Sequence, residues 1–144
     1  FVAGIMGLGA VVADTGLGDA LIGELLKVLP LAPDQPAGNF AALALVATAI
    51  NPITTLPGVP AVLTPLAQQM ADAAGLPLKS VLMVQVLGFS TIVLPYVSAP
   101  LVVGMQLGGE RLRHATRLCL WLTLPTLLLL WPLDYLWWRL LGWI

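Results

Sequence analysis

Apolar positions run along this chain in long stretches separated by short polar turns. No Asp, Glu, Lys or Arg occurs across 35–71, 80–109 or 118–133. About 20 apolar residues carry an α-helix across the ~30 Å hydrocarbon core of a bilayer, so these stretches predict membrane-embedded helices. The opening stretch, 1–13, is only about 20 Å of helix at 1.5 Å per residue and reads as the remainder of a longer span. Gly4, Gly7 and Gly9 in it form a small-residue face suited to close helix approach. Asp14 and Asp19 bracket the interruption that follows and suit helix capping. Beyond them Leu17, Leu21, Leu25 and Leu29 recur every fourth residue, with Asp19, Glu24 and Lys27 on the remaining sides. That is the pattern of an amphipathic helix lying at the interface, so 1–29 pairs a shortened span with an interfacial helix.

Prolines divide the next two stretches. Pro52, Pro57, Pro60 and Pro65 cut the first, with Asn51, Thr54, Thr55 and Gly58 among them. A proline removes a backbone donor and crowds the preceding turn, which leaves arms at 40–50 and 59–70, each about 16–18 Å long. Neither arm crosses alone, so 39–74 is expected to form a re-entrant helical hairpin with its non-helical tip at mid-depth. Irregular backbone is tolerated there only inside protein or beside a cavity. Over 80–107 a helix is expected to run to about Leu94 and break at Pro95-Tyr96-Val97-Ser98-Ala99-Pro100. A shorter helix then resumes, giving a discontinuous transmembrane helix.

A charged loop over 108–117 holds Glu110, Arg111, Arg113, His114 and Arg117. The last span lies within 118–138, and Trp131, Tyr135, Trp137, Trp138 and Trp143 form an aromatic belt at its exit. The three arginines place loop 108–117 in the cytoplasm by the positive-inside rule. The C-terminus then emerges outside, and the hairpin enters from the outside. A multi-pass protein of the cell (inner) membrane follows.

Composition agrees. Hydrophobic residues make up 59% of the chain, charged residues 9%, and the mean hydropathy is +0.97. A water-facing domain carries about 25% charged residues. The net charge of −1 and the lack of a basic stripe exclude nucleic acid as a partner. Cys119 is the single cysteine, which leaves no disulfide framework and no cysteine metal cluster. It reads as a packing residue, and His114 as a solvated member of the basic loop. No Ser/His/Asp set, facing carboxylates or metal-ligand spacing supports an enzyme, and no cofactor is implied. The opening at Phe1, without a basic n-region or cleavage site, fits the C-terminal part of a larger permease.

The candidate chemistry sits at the two interruptions. Half-helix ends direct unpaired N–H or C=O groups toward mid-membrane, where N-termini hold anions and carbonyls hold Na⁺. Neither interruption contains a charged residue. An anion there is held by amides and by the hydroxyls of Thr54, Thr55 and Ser98, with Ala99 and Pro100 completing the second break. A single proline could be only a packing kink, whereas two multi-proline breaks with polar residues point to a site.

These residues resemble a known family. Gly7-Leu8-Gly9-Ala10-Val11-Val12-Ala13-Asp14-Thr15-Gly16 looks like a glycine-rich helix that ends in a polar residue, a small residue and Gly. Val62-Leu63-Thr64-Pro65-Leu66 looks like the leucine-proline segment after a hairpin tip, and Leu94–Pro100 like a Leu-Pro…Thr-Pro-Pro-Asn break. Over nearly all 144 residues the chain is similar to the C-terminal half of the divalent anion/Na⁺ symporters. Those are the dicarboxylate, citrate and sulfate carriers of the ion-transporter superfamily. The resemblance implies an all-α integral membrane fold comprising one inverted repeat of a secondary transporter. It also implies elevator-like movement, a homodimer, an N-terminal repeat of the same permease as partner, and Na⁺-coupled uptake of a small anion. At the tip the family carries Ser-Asn-Thr, where an ungapped match places Thr55, Leu56 and Pro57, and a gap brings in Asn51. In the second break Ser98, Ala99, Pro100 and Leu101 stand at Thr-Pro-Pro-Asn. By this likeness Thr54, Thr55, Ser98, Ala99 and Pro100 line the anion, and Asn51, Thr55 and Ser98 ligate Na⁺. Two alternatives stay open: a non-transporting membrane interaction subunit, and a related carrier of arsenite or of a proton-coupled ion.

Overall fold

The computed structural model describes residues 23–24, 29, 31–54, 56 and 58–144. The glycine face of 1–13, Asp14, Asp19, most of the amphipathic helix, Thr55 and Pro57 lie outside the described residues.

Every regular element among the described residues is helical. Helix α1 (Pro36–Thr54) opens on a proline, whose fixed φ and missing N–H suit a first turn. It continues through alanines and leucines, which are strong helix formers. It also runs through Pro52, past the expected end of the arm at Ile50. Placed this late, Pro52 removes only the one bond that the Thr48 carbonyl would accept. Thr48 and Thr54 turn their hydroxyls back onto the carbonyls of Ala44 (2.8 Å) and Ile50 (3.1 Å). The arm is therefore 19 residues rather than 11, long and apolar enough to cross a membrane.

The chain then returns alongside α1 as α2 (Gly58–Leu63), a 3-10 turn (Thr64–Leu66) and α3 (Ala67–Ala74). At the open end Asn39, 1% exposed, donates to the carbonyls of Ala74 (2.8 Å) and Ala32 (2.7 Å) and accepts the Ala32 N–H (3.1 Å). At the other end a Cβ on Gly58 would lie 2.7 Å from that of Thr54, so the start of α2 packs closely on the end of α1. Gly75, at φ +63°, ends α3 in the left-handed conformation that glycine adopts without strain.

Helix α4 (Leu78–Ser90) lies parallel to α1 and buries Val81, Val84 and Gln85. A Cβ on Gly88 would stand 2.1 Å from that of Ala47, so the two backbones cross in close contact. Gln85 donates to the Leu63 carbonyl (3.1 Å) and accepts the Thr64 hydroxyl (3.1 Å), which pins the turn where Pro65 interrupts the return arm. Phe40, Leu43, Leu66, Met70, Val81 and Val84 belong to the core between these helices.

After α5 (Ala99–Gly108), Gly109 at φ +66° turns the chain. Helix already resumes at Leu112, so Arg113, His114 and Arg117 are helical rather than part of a loop. The His114 ring meets the Glu110 carboxylate one turn earlier at 3.3 Å, which supports that first turn. From there α6 (Leu112–Pro125), a π turn (Thr126–Leu130) and α7 (Trp131–Leu140) form one 29-residue helix, apolar enough to cross a membrane and longer than the expected 118–138. Pro132 would press its ring on the Leu128 carbonyl. The wider π turn, closed by the Trp131 N–H on the Thr126 carbonyl, gives that ring room.

The long helix runs antiparallel to α1 and α4. Thr123 donates to the Ile92 carbonyl (3.4 Å), whereas Tyr135 (tilted) and Trp138 (edge-to-face) pack against Phe40 with ring centroids 5.5 and 5.4 Å apart. The Ser80 hydroxyl reaches the Trp143 carbonyl, and the Lys79 ammonium lies 3.5 Å from the centroid of the Trp143 ring. Trp131 and Trp138 are thus buried core residues rather than belt residues, while Trp137 stays exposed. This arrangement sets Asp34 and Arg113 at opposite ends of the helices. Single cysteines at the two positions should label from opposite sides of the membrane, Arg113→Cys from the cytoplasm. Labelling of both from one side would overturn the layout.

Candidate functional site

The C-terminal end of α1 and the interruption after α4 meet. Helix α4 ends at Ser90, earlier than the expected Leu94, because side chains compete for its last turn. The hydroxyls of Ser90 (3.0 Å) and Thr91 (2.8 Å) both bond the Leu87 carbonyl, as does the Thr91 N–H. Thr91 itself is extended. The chain then passes through a 3-10 turn at Pro95–Val97 and re-enters helix at Ala99. Pro100 sits in the first turn of α5, where a proline costs nothing. The interruption is therefore 91–98, and Ala99 and Pro100 belong to the helix after it.

Four hydrogen bonds join the two regions. Asn51 donates through Nδ2 to the carbonyls of Thr91 (3.2 Å) and Phe89 (3.4 Å), across about 40 residues of chain. The Leu56 N–H donates to the Val97 carbonyl at 3.4 Å, and the Tyr96 hydroxyl donates to the Pro52 carbonyl at 3.1 Å. Helix ends leave backbone groups unpaired, and here the end of α1 and the end of α4 supply partners to one another.

The sequence-derived candidates are distributed unevenly around this junction. Asn51 is 1% exposed and central. Ser98 is buried next to Val97, at the start of α5, and its side chain makes no capping bond there. Thr54 is half-buried with its hydroxyl on Ile50, Thr55 lies outside the described residues, and Ala99 and Pro100 are exposed. Sequence reasoning missed Thr91 and Tyr96. Tyr96 stands inside the recognised break, so its hydroxyl was the available signal.

One polar atom at the junction is left over. The Asn51 Oδ1 is buried and has no hydrogen-bond partner among the described residues. The amide cannot be turned around, because its oxygen would then face two carbonyls. A buried unpaired acceptor costs about 1–3 kcal/mol, which a cation or a hydrogen-bond donor would relieve and an anion would not. On the far flank of the interruption a groove of about 310 Å³ opens between Thr91, Leu101, Leu118, Leu122 and Thr123. The Thr91 hydroxyl there is committed to the Leu87 carbonyl, and the Thr123 hydroxyl is shared between the Cys119 and Ile92 carbonyls, so the groove is apolar in effect.

Compared with known proteins, the chain matches no family model, no curated protein and no solved structure.

Proposed function

We propose that this chain is the helical half of a secondary transporter that moves a small anion of the dicarboxylate, citrate or sulfate type together with Na⁺. The observation that carries the reading is the unpaired, buried Asn51 Oδ1 at the junction of two helix interruptions. Amide oxygens and released helix carbonyls are what coordinates Na⁺ in transporters built from broken helices. The anion takes the hydroxyl of Ser98 and the backbone amides of the interruptions, and the N-terminal repeat of the permease forms the opposite wall.

Depth supports the same reading. Thr123, which bonds Ile92 beside the junction, is 11 residues from Leu112 and 17 from Leu140. At 1.5 Å per residue these are about 17 and 26 Å of helix. With Leu112–Leu140 crossing the membrane, the interruptions fall near its middle, where broken-helix carriers hold their solutes.

Uptake of labelled succinate, citrate and sulfate into proteoliposomes holding the full-length protein tests the proposal. One of these anions should enter faster with an inward Na⁺ gradient than with choline. Ser98→Ala should raise its KM roughly fivefold, the loss of about one hydrogen bond, with expression unchanged. Uptake that ignores both Na⁺ and Ser98→Ala would overturn the site, and no uptake of any anion would favour a non-transporting subunit.

A further inference from the structure

By the positive-inside rule the arginine-bearing end of the long helix faces the cytoplasm, and it carries a surface outside the candidate site. Arg113, Arg117, Leu120, Trp121 and Leu124 recur at helical spacing along one face and line a groove of about 680 Å³. Trp121 is 70% exposed, with Leu120 and Leu124 bare beside it. The head of the stripe is strongly cationic. Glu110 is engaged with His114, and Arg113 donates through Nε to the same ring at 3.2 Å. Among the described residues neither Arg113 nor Arg117 meets a carboxylate.

The stripe therefore has two chemistries in sequence along the helix: guanidinium groups first, then an indole and leucines about one to two turns further on. A soluble anion would satisfy the guanidinium groups and leave the indole bare. A zwitterionic lipid would cover the leucines but bring its own cation against the arginines. A lipid with a net negative headgroup matches both parts, its phosphate accepting from the guanidinium donors and one acyl chain lying along the apolar part. We propose that Arg113, Arg117, Leu120, Trp121 and Leu124 form a binding site for an anionic phospholipid of the cytoplasmic leaflet. The proposal rests on membrane insertion of Leu112–Leu140, not on transport.

The test reconstitutes the full-length protein in phosphatidylcholine vesicles doped with brominated phosphatidylglycerol or brominated phosphatidylcholine. The difference in tryptophan fluorescence between the wild type and Trp121→Phe isolates the one indole. Brominated phosphatidylglycerol should quench it at mole fractions about thirtyfold lower than brominated phosphatidylcholine, the scale expected of two basic side chains at a membrane surface. Arg113→Gln/Arg117→Gln should remove that preference. Equal quenching by the two lipids, or loss of the preference on adding inorganic phosphate, would overturn the site. So would an unquenched Trp121 signal while the remaining tryptophans are quenched, which would mean that protein, a second copy or another segment of the chain, covers the stripe. If neither lipid quenched any tryptophan, membrane insertion itself would fall, and the lipid site with it.

Discussion

Gly88→Leu is expected to be the most damaging single substitution in the helical core, lowering stability by about 3 kcal/mol, the upper end of overpacking costs. The reason is geometric. A Cβ at position 88 would lie 2.1 Å from the Ala47 Cβ and within 3.0 Å of the Ala47 carbonyl carbon and Cα. The contact is with backbone as well as side chain, so no rotamer change relieves it, and α1 and α4 must separate. Separation would draw Asn51 away from the Phe89 and Thr91 carbonyls one turn along, coupling a packing change to the candidate site. Gly88→Ala should cost less, about 1–2 kcal/mol. Ala47→Gly in the same chain should recover part of that, and only part, since the Ala47 backbone remains. Thermal unfolding of the detergent-solubilised protein is the measurement. A Gly88→Leu melt equal to that of the wild type would show that α1 and α4 do not cross where these atoms meet.

The hydrophobic pattern made the helical class legible, because uncharged apolar stretches of 16 to 37 residues suit helices rather than the shorter, alternating strands of a barrel. Both interruptions were readable from clustered prolines, but their edges were not. A proline's effect depends on its position in the helix, which composition does not reveal. Pro52 falls in a last turn and is absorbed, Pro100 falls in a first turn and starts α5, and Pro132 is accommodated by a π turn. Charge misled in a similar way. Arg113, His114 and Arg117 suggested a loop, yet helix begins at Leu112, because a positive-φ glycine three residues earlier completes the turn.

At the candidate site, Asn51 and Ser98 were legible as polar residues in apolar surroundings. Their partners were not. The Phe89 and Thr91 carbonyls lie 38 and 40 residues beyond Asn51, and any residue can supply a carbonyl. The same holds for Asn39 and Gln85, whose buried amides tie together backbone segments up to 35 residues apart. Trp131 and Trp138 read as belt residues from their position alone, whereas Phe40, in another element, draws Trp138 inward.

Na⁺ is expected to raise the melting temperature of the wild type relative to choline at equal ionic strength, and Asn51→Leu is expected to abolish that rise. A ligand at 100 times its Kd stabilises the folded state by about 2.7 kcal/mol, well within the resolution of a melt. Asn51→Leu keeps the γ-branched shape of the side chain but removes the buried oxygen that has no partner among the described residues. It also removes the donor that serves the Phe89 and Thr91 carbonyls, so the variant should start from a stability lower by about 1–3 kcal/mol. The informative quantity is therefore the Na⁺-dependent increment rather than the melting temperature itself. Asn51→Asp separates the two roles of the side chain. A carboxylate keeps an oxygen for the cation but turns acceptors toward two carbonyls. It should melt below the wild type in choline and recover more than Asn51→Leu when Na⁺ is added. If Asn51→Leu retains the full wild-type increment, Na⁺ binds elsewhere, and the unpaired oxygen at the junction is not its ligand.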